Sequence, residues 1–222
     1  MKKLVLSSAL AAAAGIAVLP VIVRAPGPEP ALPEHTTPGG PTRTLRDIDD
    51  VVAACREDVA RLDGLRGAEL IDLATSLVHQ MYSHYSCWHL WLSPAQSLAA
   101  GHGCSLQYNM ALAEVLRRLG FTVHPVHASR VRMEHHPWYH TGHAWLQVEV
   151  DGRRLDVCAS RPGNRAGQVA FVPITEVRPL GPLTRADNTL ALTPIVAASL
   201  WRSWLTGRPA ARWMYRPFGQ SA

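Results

Sequence analysis

Between residues 47 and 119 the apolar positions recur every three to four residues, and after Gly120 they alternate. Ile48, Val51, Val52, Cys55, Val59 and Leu62 fall on one stripe, which predicts a helix over 47–62, broken by Gly64 and Gly67. Leu70, Leu73, Ala74, Leu77 and Met81 predict a second helix over 68–82. An irregular aromatic stretch around Trp88 and Trp91 follows, and Ser93-Pro94 then opens a short helix. The tetrapeptide GHGC leads into a helix over 105–119, whose Leu106, Asn109, Ala113, Leu116 and Leu119 share a face and which Gly120 stops.

Beyond Gly120 the period of two predicts strands over 121–127 and 143–150. In the second, Ala144, Leu146, Val148 and Val150 face one way, and His143, Trp145, Gln147 and Glu149 the other. Asp151-Gly152 makes a turn, residues 153–159 return as the hairpin partner, and 169–174 form another strand. A last amphipathic helix covers 194–205. The spacing of Leu200, Trp201 and Trp204 predicts that it docks on the sheet, ahead of a tail containing Arg and Trp. Helices first and an antiparallel sheet afterwards make the fold α+β.

The N-terminus changes the picture of where this fold resides. Lys2 and Lys3 precede an uncharged run over 4–23 that ends at Arg24, the pattern read by the export machinery. Residues 1–25 are therefore a signal peptide or a membrane anchor, and either places the rest outside the cytoplasm. Residues 26–43, PGPEPALPEHTTPGGPTR, read as an extended Pro/Gly-rich linker, and residues 44–222 as the domain. The net charge of +5 comes from scattered arginines rather than a basic cluster, so no nucleic-acid partner is expected. Membrane contact is expected only through the N-terminal segment.

Candidate chemistry lies where the two periods meet. Cys104 follows two glycines at a helix start, where unpaired N–H groups and the helix dipole favour a thiolate and offer donors to an oxyanion. His143 begins a strand on its non-apolar face, where an imidazole would take and return a proton. The run EHHPWYHTGH holds His135, His136, His140 and His143, but no cysteine or carboxylate recurs at ligand spacing, so no metal is expected. No phosphate loop, dinucleotide fingerprint or serine elbow is present, and no cofactor is expected.

Ser93 to Phe121 (SPAQSLAAGHGCSLQYNMALAEVLRRLGF) and Gly142 to Asp156 (GHAWLQVEVDGRRLD) resemble the transglutaminase-like superfamily, whose members share a papain-like core. The resemblance covers about residues 71–156. It implies Cys104 as nucleophile, His143 as base and Asp156 as the group orienting the imidazole. Arylamine N-acetyltransferases look similar through QYN, RRLGF, RVRM and DGRRLDV, and would imply an acetyl-coenzyme donor. Both resemblances imply thiol-dependent acyl transfer or amide cleavage on a protein, peptide or small amine. A non-catalytic peptide-binding domain on the same fold is the other reading.

The hairpin register tests this triad. A two-residue turn at Asp151-Gly152 places Ser160 opposite His143 and leaves Asp156 four residues away, about 13 Å along the strand. A four-residue loop over 149–152 would pair Asp156 with Trp145, diagonal to His143. Cys55 lies on an apolar stripe and reads as core, whereas Cys87 and Cys158 are open partners for a disulfide with Cys104 in an oxidising compartment. Trp145 and Trp88 or Trp91 are candidate walls of the acyl site.

Overall fold

The computed structural model describes residues 2–27, 29–134 and 136–217. In chain order the elements are α1 (Lys2–Ile22), β1 (Glu34–Thr36), β2 (Thr42–Thr44), α2 (Ile48–Arg61), α3 (Gly67–Gln80), β3 (His84–Ser86), α4 (Pro94–Ala100) and β4 (His102–Gly103). They continue with α5 (Ser105–Arg118), β5 (Val123–Met133), β6 (His136–Val150), β7 (Arg153–Val157), β8 (Phe171–Pro173), β9 (Arg178–Pro179), α6 (Pro182–Thr206) and β10 (Tyr215–Pro217). Helices fill the first half. An antiparallel sheet in the order β7-β6-β5-β8, with β9 also on β5, fills the second, so the fold is α+β.

Asp47 caps α2 by accepting the Asp50 N–H at 2.9 Å, and Ile48, Val51, Val52 and Cys55 are buried as their stripe predicts. The stripe stops a turn early, because Val59 is 42% and Leu62 36% exposed. Asp58 is buried in their place and accepts from His35 Nε2 at 2.8 Å. The cause is a β1–β2 hairpin lying over this end of α2. Arg43 donates to Glu57 at 2.6 Å and Arg61 to the Gly39 carbonyl at 2.8 Å. Part of the segment expected as an extended linker is therefore folded. Its three-residue strands carry no apolar alternation that would announce them.

The central helix is α5. Its Tyr108, Ala111, Leu112, Val115 and Leu116 are fully buried between α2, α3 and the inner face of β6, where Ala144, Leu146 and Val148 meet them. Gly120, at φ +94°, ends the helix, with its N–H on the Arg117 carbonyl at 3.0 Å. The strand predicted over 143–150 begins earlier, at His136, inside the histidine-rich run. Thr141, His140 and His136 pair with Val131, Arg132 and Met133 across two irregularities in β5. His135 lies outside the described residues.

The last helix is twice the expected length. Pro182 opens it at the first turn and Pro194 lies inside it. It packs on α1 rather than on the sheet, with Trp201 Nε1 donating to the Ile16 carbonyl at 3.2 Å. Val196, Ala197 and Leu200 join Val21, Ala25, Trp88, Cys87 and Cys104 in a second apolar cluster. The tail then contributes β10, which pairs antiparallel with β3. Val5–Ile22 of α1, at mean hydropathy 2.2, is long and apolar enough to cross a membrane.

Candidate active site

Cys104 is the residue on which α5 begins, and the glycines before it are there for space. Gly101 takes φ +67° at the end of α4, where a Cβ would sit 2.9 Å from Pro30 Cα. A Cβ on Gly103 would run into Ser97 Oγ and come within 3.0 Å of Gln107 Oε1. Gln107 closes the capping box: its Oε1 accepts the Cys104 N–H at 2.9 Å, and its Nε2 donates to the His89 carbonyl at 2.8 Å and to that of Leu92 at 3.3 Å. The aromatic stretch is thereby tied to the helix start. Because Gln107 takes this amide, the Cys104 N–H is not among the donors open to an oxyanion.

The sulfur is buried, which alone would raise its pKa. The value is instead pulled down to about 7. The largest cause is a hydrogen bond from the Cys87 thiol, and the Gln107 and Leu106 backbone amides add to it. Cys87 is pushed well up by the same contact and by burial, so it keeps its proton and donates it. All four cysteines are free thiols. Cys55 is pushed up to about 12 by burial, as befits packing.

His143 sits on the outer face of β6, opposite Ala128 of β5, as the strand alternation predicts. It is buried, with the Phe171 ring 4.5 Å away at 63° and the Trp145 ring 6.1 Å away at 20°. Desolvation, followed by the Arg161 charge, holds its pKa at about 3, so the imidazole is neutral at physiological pH. Its Nε2 lies 3.4 Å from Cys158 Sγ. Burial raises the Cys158 pKa, so this sulfur remains a thiol. It lies 3.0 Å from Ser160 Oγ and receives Asn109 Nδ2 at 3.4 Å. Nδ1 is the ring nitrogen that Cys158 leaves unengaged.

Asp156 does not hold the imidazole. The β6–β7 hairpin closes through the two-residue turn, with Asp151 at φ +49° and Gly152 at φ +73°, and Val150 pairs with Arg153. Such left-handed pairs match the twist of the strands, and so the tight turn wins over the four-residue loop that the triad required. Asp156 consequently faces Gln147, and its Oδ1 accepts from Trp145 Nε1 at 2.8 Å and Gln147 Nε2 at 3.2 Å. The same register, one step past the Leu146–Val157 pair, brings Cys158 diagonal to His143. Asp156 reaches the imidazole only through the Trp145 ring.

Asn109 is the residue whose role the sequence did not disclose. One turn into α5 and fully buried, it donates Nδ2 to the Ser105 carbonyl at 2.9 Å and to the Ala144 carbonyl at 2.8 Å. Its Oδ1 accepts the Ala159 N–H at 3.0 Å. It thus links the Cys104 helix to the neighbour of His143 and the neighbour of Cys158. The available signal was an amide on an otherwise apolar helix face, since a buried amide needs partners across an interface.

Cys104 and His143 line one cavity of about 930 Å³, together with Ser105, Ser160 and Arg161. Trp145 and Trp88 are not in its lining: the first is fully buried under His143, and the second donates Nε1 to the Val23 carbonyl at 2.9 Å. Trp91 is 47% exposed elsewhere, and Trp213 is the tryptophan of the wall. Among the described residues no three His, Cys, Asp or Glu side chains converge as metal ligands would. Compared with known proteins, the chain matches no family model and no curated protein.

Proposed function

We propose that the protein is a thiol-dependent acyltransferase or amidohydrolase with a papain-like, transglutaminase-like arrangement, in which Cys104 is the nucleophile and His143 the proton carrier. The observation that carries this reading is a thiol with pKa about 7 at a helix start, opening on the same cavity as a neutral histidine. Cys158 takes the orienting place that the family resemblance assigns to Asp156.

The Cys104 sulfur attacks the carbonyl carbon of an amide or other acyl donor. A proton carried by the thiol passes to His143 Nδ1 and from there to the departing amine, leaving a thioester on Cys104. Water or an acceptor amine then attacks the thioester and gives its proton to Nδ1, and Cys104 leaves as a thiolate that takes this proton back, which restores the neutral imidazole. A neutral resting imidazole suits this sequence, since a protonated one has no lone pair for the incoming proton. The value of about 3 makes the imidazolium a strong acid toward the leaving group and the imidazole a weak base toward the thiol.

The α1 helix acts in this reading as a retained anchor. Val21 and Ala25 are buried in the cluster that includes Cys104, and the Val23 carbonyl accepts from both Trp88 and His89 at 2.9 Å. Removal of residues 1–25 would uncover that cluster.

The test is alkylation of the reduced full chain in detergent across pH, with adducts located by mass spectrometry and Cys104→Ala as control. Half-maximal labelling of Cys104 near pH 7 supports the reading, whereas a midpoint at the ordinary thiol value of about 8.5 sinks it.

A further inference from the structure

The exposed surface of α6 is more apolar than water alone would leave it. No charge stands between Asn188 and Trp201, and no aspartate or glutamate follows Asp187. Leu190, Ile195, Trp204 and Leu205 are all exposed along this helix, Leu205 to 80%. Single exposed apolar side chains are ordinary, but a row of them on one element marks a surface with a partner.

The neighbour of this surface is the outer part of α1. Trp201 Nε1 donates to the Ile16 carbonyl at 3.2 Å, and the Trp204 ring stands edge-on to that of Trp201, with centroids 5.3 Å apart at 78°. Ile16 lies six residues inside the outer end of the apolar run Val5–Ile22, about 9 Å at the helical rise per residue. A chain anchored by α1 therefore carries this end of α6 to the boundary between acyl chains and headgroups, the level at which tryptophan is favoured. Val5, Leu6, Leu10 and Ile16 of α1 are exposed as well, so both helices call for the same apolar medium. Arg202 and Arg208 are exposed beside the tryptophans, where long stems let guanidinium heads reach lipid phosphates.

We propose that the C-terminal turns of α6 are a second membrane contact, seated in the outer headgroup layer beside α1, with a phospholipid surface as the partner. The contact rests on α1 being a retained anchor and not on the thiol chemistry. It also places the site. Leu192 and Ile195 of the same helix line the cavity of Cys104, and Ile195 comes six residues before Trp201, about 9 Å along α6. The cavity thus stands at the lipid surface, within reach of an acyl donor held there.

Tryptophan emission reads this contact without interference from the anchor, because residues 1–25 contain no aromatic residue. The full chain is reconstituted in vesicles of phosphatidylcholine and phosphatidylglycerol whose acyl chains carry bromine just below the headgroup. Brominated vesicles are expected to quench the emission relative to unbrominated ones. Trp204→Phe, at an exposed position, should lower that quenching, and Trp201→Phe added to it should remove most of the remainder while the chain still floats with the vesicles. A chain that floats unquenched, or whose quenching survives the loss of both tryptophans, overturns the α6 contact and leaves the anchor standing. A chain that does not float overturns both. A dimer in detergent that Leu205→Glu dissociates assigns the face to a second copy and overturns the lipid surface as its partner.

Discussion

The start of α5 and the end of β7 each hold a buried cysteine near the same cavity, yet their thiols are driven in opposite directions. Cys104 is drawn down to about 7, while Cys158 is raised. Burial acts the same way on both. What differs is the set of donors: the Cys87 thiol first, then the Gln107 and Leu106 amides of the helix start, and together these outweigh desolvation. Cys158 receives Asn109 and lies against Ser160 and His143, a set that offsets part of the cost and leaves the proton on sulfur. In the proposed reading one thiol attacks and the other holds the imidazole.

The comparison assigns the depressed pKa of Cys104 to the Cys87 thiol first and to the amides at the start of α5 after it, and the imidazole is not among its main causes. Replacing His143→Gln should therefore cut acyl transfer by roughly 10²- to 10⁴-fold, the usual worth of a general acid–base group. The alkylation midpoint of Cys104 should stay near 7. A midpoint that rises with the loss of the imidazole would mean that an ion pair activates the thiol, and would erase the distinction between the two regions.

Both regions depend on Asn109, which spans them. Asn109→Ala leaves the Ala159 N–H and the Ala144 carbonyl without their buried partner. Each orphaned group costs about 1–3 kcal/mol, so a loss of roughly 3 kcal/mol in unfolding free energy is expected in denaturant titrations. A loss below about 1 kcal/mol would show that the two cysteine regions are held independently.

Much of this frame was legible. The stripes of α2, α3 and α5, the Gly120 stop and the two faces of β6 follow from periods of 3.6 and 2, because burial of one face is what those periods record. Cys104 and His143 stood out by their position at a helix start and on a polar strand face. The roles of Cys158 and Asp156 did not. They depend on a hairpin register set by two turn residues, and a shift of two positions along β7 exchanges a carboxylate for a thiol beside His143. The β1–β2 hairpin, β10 and the docking of α6 on α1 were hidden for another reason. Polar contacts and long-range pairing hold the strands, and the partner of α6 was set aside as an export segment.

The register yields a sharper contrast of its own. Cys158→Ala removes the group on His143 Nε2 and should slow transfer about tenfold, the scale seen for orienting partners of a histidine. Asp156→Asn keeps an oxygen for Trp145 Nε1 and should leave the rate within about twofold. The reverse ranking, measured as kcat/KM on one donor, would return Asp156 to the place that the family resemblance implied.

The smallest effect expected is the most specific to the helix start. Cys87 donates to the Cys104 sulfur, and a donor to the thiolate lowers the pKa by favouring the charged form. Cys87→Ala removes that donor while the Leu106 and Gln107 amides remain, so the labelling midpoint should move up from about 7 by roughly one unit. The sign fixes where the effect is visible. Near pH 6.5 the thiolate fraction falls and labelling slows several-fold. Near pH 9.5 both proteins are fully ionised and label alike. An unchanged midpoint would leave the α5 amides as the whole cause of activation, and Cys87 would then be a packing residue of the cluster shared by Trp88 and Leu200.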